Sequence, residues 1–273
     1  MQYLYKNARI QSSKQRGFYM LIESIHNNII KQIISLQDKK NRDEQKLFIV
    51  EGYKQVQDIP ESWDIEYIIC TEKYKDISFH TDKIYITTDT IFKKIADTKT
   101  PQGILAVVKK QEIDLESISN NKGFFVIVDS LQDPGNLGSI IRTAEAYNCK
   151  GIFLSKNTVD AFSSKVVRST MGTIFNVPIF QECDINLLLE NFKKKNIKTY
   201  ALALQTDKLI TNTKFEDSIA IIVGNEANGI SKDILDIADN LIKIEMLGKT
   251  QSLNASIACS IAIYEISKQI SGV

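Results

Sequence analysis

Apolar residues between Ile22 and Leu36 recur at helical intervals (Ile22, Ile25, Ile29, Ile33, Leu36), a spacing that predicts an amphipathic helix. A charged turn, DKKNRDEQ, follows, and then short apolar, β-branched runs. LFIV (47–50), EYIIC (66–70), KIYIT (83–87) and GILAVVKK (103–110) predict strands, and Thr88–Asp89 caps a helix reaching Ala96. Residues 21–110 thus read as a small α/β unit. In 111–121 the pattern lapses into polar residues, which reads as a linker.

From residue 122 to 273 strands alternate with helices. FFVIVD leads to a helix over 136–148, GIFLS (151–155) to a short helix around 163–171, and VPIF to the helix INLLLENFKKK. TYALAL (199–204), IAIIVG (219–224), a helix from Ser231, LIKIE (241–245) and a last helix over 252–270 complete the series. Near-continuous apolar strands between helices imply an α/β fold with a mostly parallel sheet covered on both faces. Ligands on such sheets bind in loops beyond the carboxyl ends of the strands. Three loops there are unusual: QDPGNLG, GNEANG and MLGKTQSLN.

Composition narrows the reading. The 273 residues are 43% hydrophobic and 25% charged, ordinary for a globular protein of two domains. A net charge of +1 excludes a globally basic nucleic-acid coat, so any RNA contact must be a local patch. No apolar run has the length of a membrane span. Cys70, Cys149, Cys183 and Cys259 stand far apart and His26 and His80 are isolated, so reduced structural thiols in the cytoplasm are expected and a metal site is not. Residues 1–20 carry Lys6, Arg9, Lys14 and Arg16 with no acid; a transit peptide or a basic arm has that composition, and a disordered extension is the plainer expectation.

Neither standard nucleotide fingerprint fits the first loop. Gly135 and Gly138 make only GxxG, Pro134 occupies the turn, Asp160 is the nearest acid for a ribose, and no GxxxxGK[ST] occurs. Taken singly the loops have plain roles: Asn136 as a helix N-cap, Arg142 as a solvated helix cation, Glu226 as a surface acid, Ser252 as the cap of the last helix. Together they leave three polar, glycine-bearing loops at one sheet edge without a purpose.

In order and spacing, DSLQDPGNLGSIIRTAEA, IIVGNEANGIS and IEMLGKTQSLNASIACSIAIYE resemble the three motifs of the SpoU-type (TrmH-like) RNA ribose 2′-O-methyltransferases of the SPOUT superfamily. IKQIISLQDKKNRDEQKLFIVEG and TDTIFKKIADTKTPQGILAVV resemble the family's substrate-binding domain, a module akin to RNA-binding ribosomal proteins. The resemblance implies a deep trefoil knot, which packing rules alone would exclude. It also implies S-adenosylmethionine as cofactor, held by Leu204, Gly224, Ile244 and Leu253, and a homodimer formed through the knot. The sulfonium already activates its methyl group, so no metal is required. Asn136, Arg142, Glu226, Ser252 and Asn254 are the implied catalytic set. An arginine is effectively always protonated, so Arg142 is expected to clamp a phosphate and stabilise the emerging alkoxide rather than act as a base. Gln251 stands where many relatives carry glutamate. Lys165, Arg168, Arg42 and Lys46 are the candidate RNA contacts. The front domain points to ribosomal RNA; a transfer-RNA enzyme, a base-methylating knotted enzyme and an inactive RNA-binding relative are the alternatives.

Overall fold

The expected apolar runs assemble into two sheets in the computed structural model, which describes residues 20–116 and 122–270. The first unit comprises β1 (Met20–Ile22), α1 (Asn28–Ser35), α2 (Lys39–Gln45), β2 (Leu47–Glu51), α3 (Tyr53–Gln57), β3 (Ile65–Thr71), β4 (Ile84–Thr87), α4 (Asp89–Ile95) and β5 (Ile104–Lys109). Its sheet order is β1-β4-β3-β5-β2, parallel from β1 to β3 and antiparallel through β5.

Two expectations fail here. The helix predicted from Ile22 begins only at Asn28, because the Asn27 side chain accepts from the Ile29 amide at 2.9 Å and sets the first turn. Ile22 instead ends β1, whose carbonyl accepts from Thr87 Oγ1 at 2.8 Å. The charged turn is also a helix, α2, capped by Asp38 on the Lys40 amide at 2.8 Å and ended by Lys46 in the left-handed region (φ 55°). Of the extension expected over 1–20 only Met20 is among the described residues, and 117–121 of the expected linker lie outside them.

The second unit comprises β6 (Gly123–Val128), α5 (Pro134–Ala146), β7 (Ile152–Ser155), α6 (Ser164–Thr170), β8 (Ile179–Cys183), α7 (Ile185–Lys194), β9 (Lys198–Leu202), β10 (Ser218–Val223), α8 (Lys232–Ile237), β11 (Asn240–Ile242) and α9 (Ala255–Ile270). Its strands run in the order β11-β9-β10-β6-β7-β8, every pairing parallel. The chain walks outward from β6 to β8, then restarts on the other side, so the order reverses between β6 and β10. A parallel sheet of this kind keeps its ligand crevice at that reversal. From β10 the chain steps over β9 to reach β11, and α9 then returns to pack on α5, β10 and β6.

The two units share one core. Phe48 and Trp63 of the first meet Phe162 and Phe175 of the second, with ring centroids 4.9 Å apart for Phe48–Phe162 and 5.1 Å for Trp63–Phe175. Trp63 Nε1 donates to the Phe175 carbonyl at 3.0 Å, so the buried indole is satisfied. Cys70, Cys149 and Cys259 are buried free thiols, and burial pushes the Cys149 thiol up to about 12. Among the described residues no helix is long and apolar enough to cross a membrane.

Candidate active site

Three loops leave the carboxyl ends of β6, β10 and β11. The first is tied to the second by Asp129, a buried carboxylate whose Oδ2 accepts from the Ser231 amide (2.9 Å) and hydroxyl (2.8 Å). Asn225 Nδ2 adds a bond to the Ser130 carbonyl at 2.9 Å. Within the second loop the Asn225 and Gly229 backbones pair reciprocally at 2.9 Å. A Cβ on Gly224 would lie 2.2 Å from the Gly229 carbonyl carbon, so only glycine allows that closure.

Helix boundaries decide which side chains remain free. Asp133, not Asn136, caps α5: its Oδ1 accepts from the Asn136 amide at 2.8 Å. Pro134 occupies the first helical position, where no amide hydrogen is needed. The helix therefore starts two residues before the expected Asn136, whose side chain is released from capping. In the third loop Asn254 rather than Ser252 takes the capping role at α9, accepting from the Ser256 amide at 2.9 Å.

Asn136 is where the loops meet. Its Nδ2 donates to Glu226 Oε1 at 2.7 Å, while its Oδ1 accepts from Asn254 Nδ2 at 3.0 Å and from Ser256 Oγ at 3.2 Å. Three residues of the expected catalytic set are thus joined directly: Asn136, Glu226 and Asn254. Ser252 is not among them; its carbonyl accepts from Thr250 Oγ1 at 3.1 Å and it lines the neighbouring cavity. Glu226 Oε1 accepts from Asn136 and not from Arg142. At roughly 3.6 residues per turn, Asn136 and Thr143 share the side of α5 that faces α9, where Thr143 meets Ser260 at 3.0 Å. Gly138 and Arg142 share a different side, next to α6, and a Cβ on Gly138 would sit 2.3 Å from Ser169 Cβ. Arg142 is exposed there and, among the described residues, its side chain has no ion-pair or hydrogen-bond partner.

Beside Asn136 lies a cavity of about 380 Å³ between the loops after β9, β10 and β11. Leu204, Gly224, Ile244 and Leu253, the four expected cofactor contacts, all line it, with Glu226 and Ser252 at the same wall. An aliphatic lining, backbone polar groups from GNEANG and the Glu226 carboxylate, with the lining's Lys243 paired to Asp207 at 3.1 Å, suit a ligand with a flat heteroaromatic base and a cationic centre. S-adenosylmethionine fits that description.

The expected RNA contacts fare unequally. Lys165 is exposed on α6, and Lys46 is exposed at the end of α2. Arg42 is a correction: it is buried between the units, its guanidinium bonded to Asp160 Oδ2 at 2.6 and 2.9 Å and to the Leu36 and Gln37 carbonyls at 2.8 Å. Four of its five donors are taken and the side chain is buried, which withdraws it from a phosphate. Arg168 is likewise engaged across the interface, with Asp97 at 2.7 Å and Glu51 at 4.0 Å. Asp129, Asp133 and the bond from Ser256 to Asn136 are site features beyond the expected set. The Asp-Pro step at 133–134 was a readable signal for a helix start; nothing in the sequence marks Asp129 as an anchor.

The SpoU rRNA Methylase family model matches residues 123–264, and the MRM3-like substrate binding domain matches residues 27–106. The 23S rRNA (guanosine(2553)-2'-O)-methyltransferase RlmP of Bacillus subtilis is 31% identical over 248 residues, 90% of this chain and 98% of that one. The crystal structure of an AdoMet-bound rRNA methyltransferase from Sinorhizobium meliloti matches with a TM-score of 0.79 at 28% identity, covering 92% of this chain and 97% of that one. A TrmH-family RNA methyltransferase structure from Porphyromonas gingivalis matches with a TM-score of 0.77 at 27% identity, over 87% and 96%.

Proposed function

The chain belongs to the SpoU rRNA methylase family, and from that premise we propose that it transfers a methyl group from S-adenosylmethionine to a ribose 2′-hydroxyl of ribosomal RNA. The observation that carries this reading is the convergence of three loops distant in sequence on Asn136, beside the cavity lined by Leu204, Gly224, Ile244 and Leu253.

When bound, S-adenosylmethionine supplies a methyl already activated by the sulfonium. The remaining task falls to this chain: a weakly acidic hydroxyl must be aligned and its developing charge stabilised. Arg142 clamps the RNA phosphate and stabilises the emerging alkoxide, a charge-assisted interaction of the kind worth most in a water-poor site. The proton leaves to the phosphate or to water. Asn136 and Asn254 position the hydroxyl and the loops around it, with Glu226 fixing which way the Asn136 amide points. Ser252 and Leu253 hold the cofactor side of the third loop. Alignment of this kind supplies several kcal/mol (about 7–11 at best).

Two architectural features belong to the same proposal. The step from β10 over β9 to β11, followed by the return of α9 to α5, supports a threaded trefoil. The outer face of α5 and α9 supports a homodimer: Ile257 and Tyr264 are 52% and 51% exposed there, and Tyr147 meets Tyr264 edge to face at 6.1 Å. Tyr147 caps the carboxyl end of the helix that carries Arg142, which supports an RNA clamp near the edge of that interface.

The test is transfer of labelled methyl from S-adenosylmethionine to a 23S ribosomal RNA transcript, followed by nucleoside analysis. A 2′-O-methyl nucleoside is expected. A methylated base, or tight RNA binding with no transfer, overturns the proposal.

A further inference from the structure

The first unit carries two concentrations of basic residues, and only one is free. Around α2, Lys39 pairs with Glu182, Lys40 with Glu44 at 3.8 Å, and Arg42 with Asp160 at 2.6 Å. Asp43, on the same helix, takes Lys110 at 2.6 Å. Lys39 and Arg42 are spent on holding the two units together, Lys40 stays exposed in a pair within its own helix, and among the described residues Lys46 has no ion-pair partner.

The opposite holds around the loop 97–103. Lys54, Lys73, Lys93, Lys94 and Lys99 are all exposed, and among the described residues none has an ion-pair partner. Two contacts gather them around this loop. Gln102 Oε1 accepts from the Tyr53 amide at 2.8 Å, which sets Lys54 beside the loop. The Gly103 carbonyl accepts from the Thr71 amide at 2.8 Å, which brings in the turn bearing Lys73. Lys73, Lys93, Phe92 and Pro101 then line a hollow of about 230 Å³. Glu72 and Asp89 line the hollow beside Lys73 and Lys93, so the hollow itself has no excess charge; the excess lies outside it on Lys54, Lys94 and Lys99, while Asp97 is paired with Arg168 and Glu51 is buried.

This cluster is joined to the reaction site through α6. Arg168 anchors the loop through Asp97, and its neighbour Ser169 packs on Gly138, one helical turn before Arg142. Lys165 is exposed on the same helix. Exposed cations thus stand around the 97–103 loop, on α6 at Lys165 and on α5 at Arg142.

Resting on the transferase reading, we infer that the phosphate backbone of an RNA segment runs along these cations, entering over Lys93, Lys94 and Lys99 around the 97–103 loop, passing Lys165 and delivering its ribose to Arg142. The basic helix α2 is not part of the track. Arg168 is a buttress that keeps the loop against α6, not an RNA ligand.

The experiment measures affinity of the full-length protein for a 23S ribosomal RNA transcript across a salt series, with S-adenosylmethionine affinity and methyl transfer recorded alongside. For K93A/K94A/K99A the RNA Kd is expected to rise by about tenfold or more, and the slope of log K against log salt to fall by about two. S-adenosylmethionine affinity should stay at the wild-type value, which also reports an intact fold. K40A/K46A, on the excluded surface, should bind RNA like wild type. Wild-type RNA affinity in the triple variant, or a comparable loss in K40A/K46A, overturns the inference while wild-type transfer leaves the enzyme assignment standing. A wild-type protein that neither binds nor methylates the transcript overturns both.

Discussion

Asn136 has to be an amide because opposite demands meet on it. Its NH₂ donates to a carboxylate while its carbonyl oxygen accepts from Asn254 and Ser256. Aspartate would set a like charge against Glu226, and leucine would strand three polar partners. Arg142 is the contrasting case: among the described residues its side chain has no ion-pair or hydrogen-bond partner, which leaves the guanidinium open to a substrate. Arg142→Ala is therefore expected to lower methyl transfer by about 10²–10³-fold or more with S-adenosylmethionine affinity, read by calorimetry, nearly unchanged. Wild-type turnover in that variant would remove Arg142 from the mechanism. That Asn136, Glu226 and Asn254 belong to one group was legible from the ordered loops; how they connect was not. Asn136 reads in sequence as a helix cap, and only the competing claim of Asp133 on the same turn frees it.

Gly138 shows how two helices set the position of a side chain on one of them. α5 and α6 approach so closely that an added methyl would fall 2.3 Å from Ser169 Cβ. Gly138→Ala gains up to about 1 kcal/mol in helix propensity, but relieving the overlap costs about 1–3 kcal/mol. We expect lower stability in urea and weaker transfer, since Asn136 is half a turn away, with both recovered in Gly138→Ala/Ser169→Gly. Failure of the second change to rescue the first would show that the contact is not what limits this helix pair. Elements differed in how openly the sequence announced them. The central strands of the parallel sheet, β6 and β10, are buried on both faces and appear as plain apolar runs. β1 is three residues long and exists through its pairing with β4, a partner more than sixty positions away. α2 is polar on every side, so it carries no periodic signal; its cap and its interdomain ion pairs hold it.

The two units are expected to unfold as one body, because aromatic rings from both form a single cluster and Arg42 is buried against Asp160. Removing one member of a buried pair leaves the other unmatched, at about 3–5 kcal/mol. Arg42→Ala should lose that much stability in urea. The change is visible without a label: Trp63, the one tryptophan in the sequence, sits on the seam and bonds to Phe175. Its fluorescence should shift together with far-UV circular dichroism in the wild type and ahead of it in Arg42→Ala; coincident transitions in the variant would show that the seam does not depend on this pair. The partners of Asn136 lie 90, 118 and 120 positions further along the chain. A polypeptide emerging residue by residue from its own synthesis can complete the first sheet and begin the second while this hub still lacks every neighbour. Competence is thus acquired late and all at once, and a half-made molecule has no means of marking an RNA.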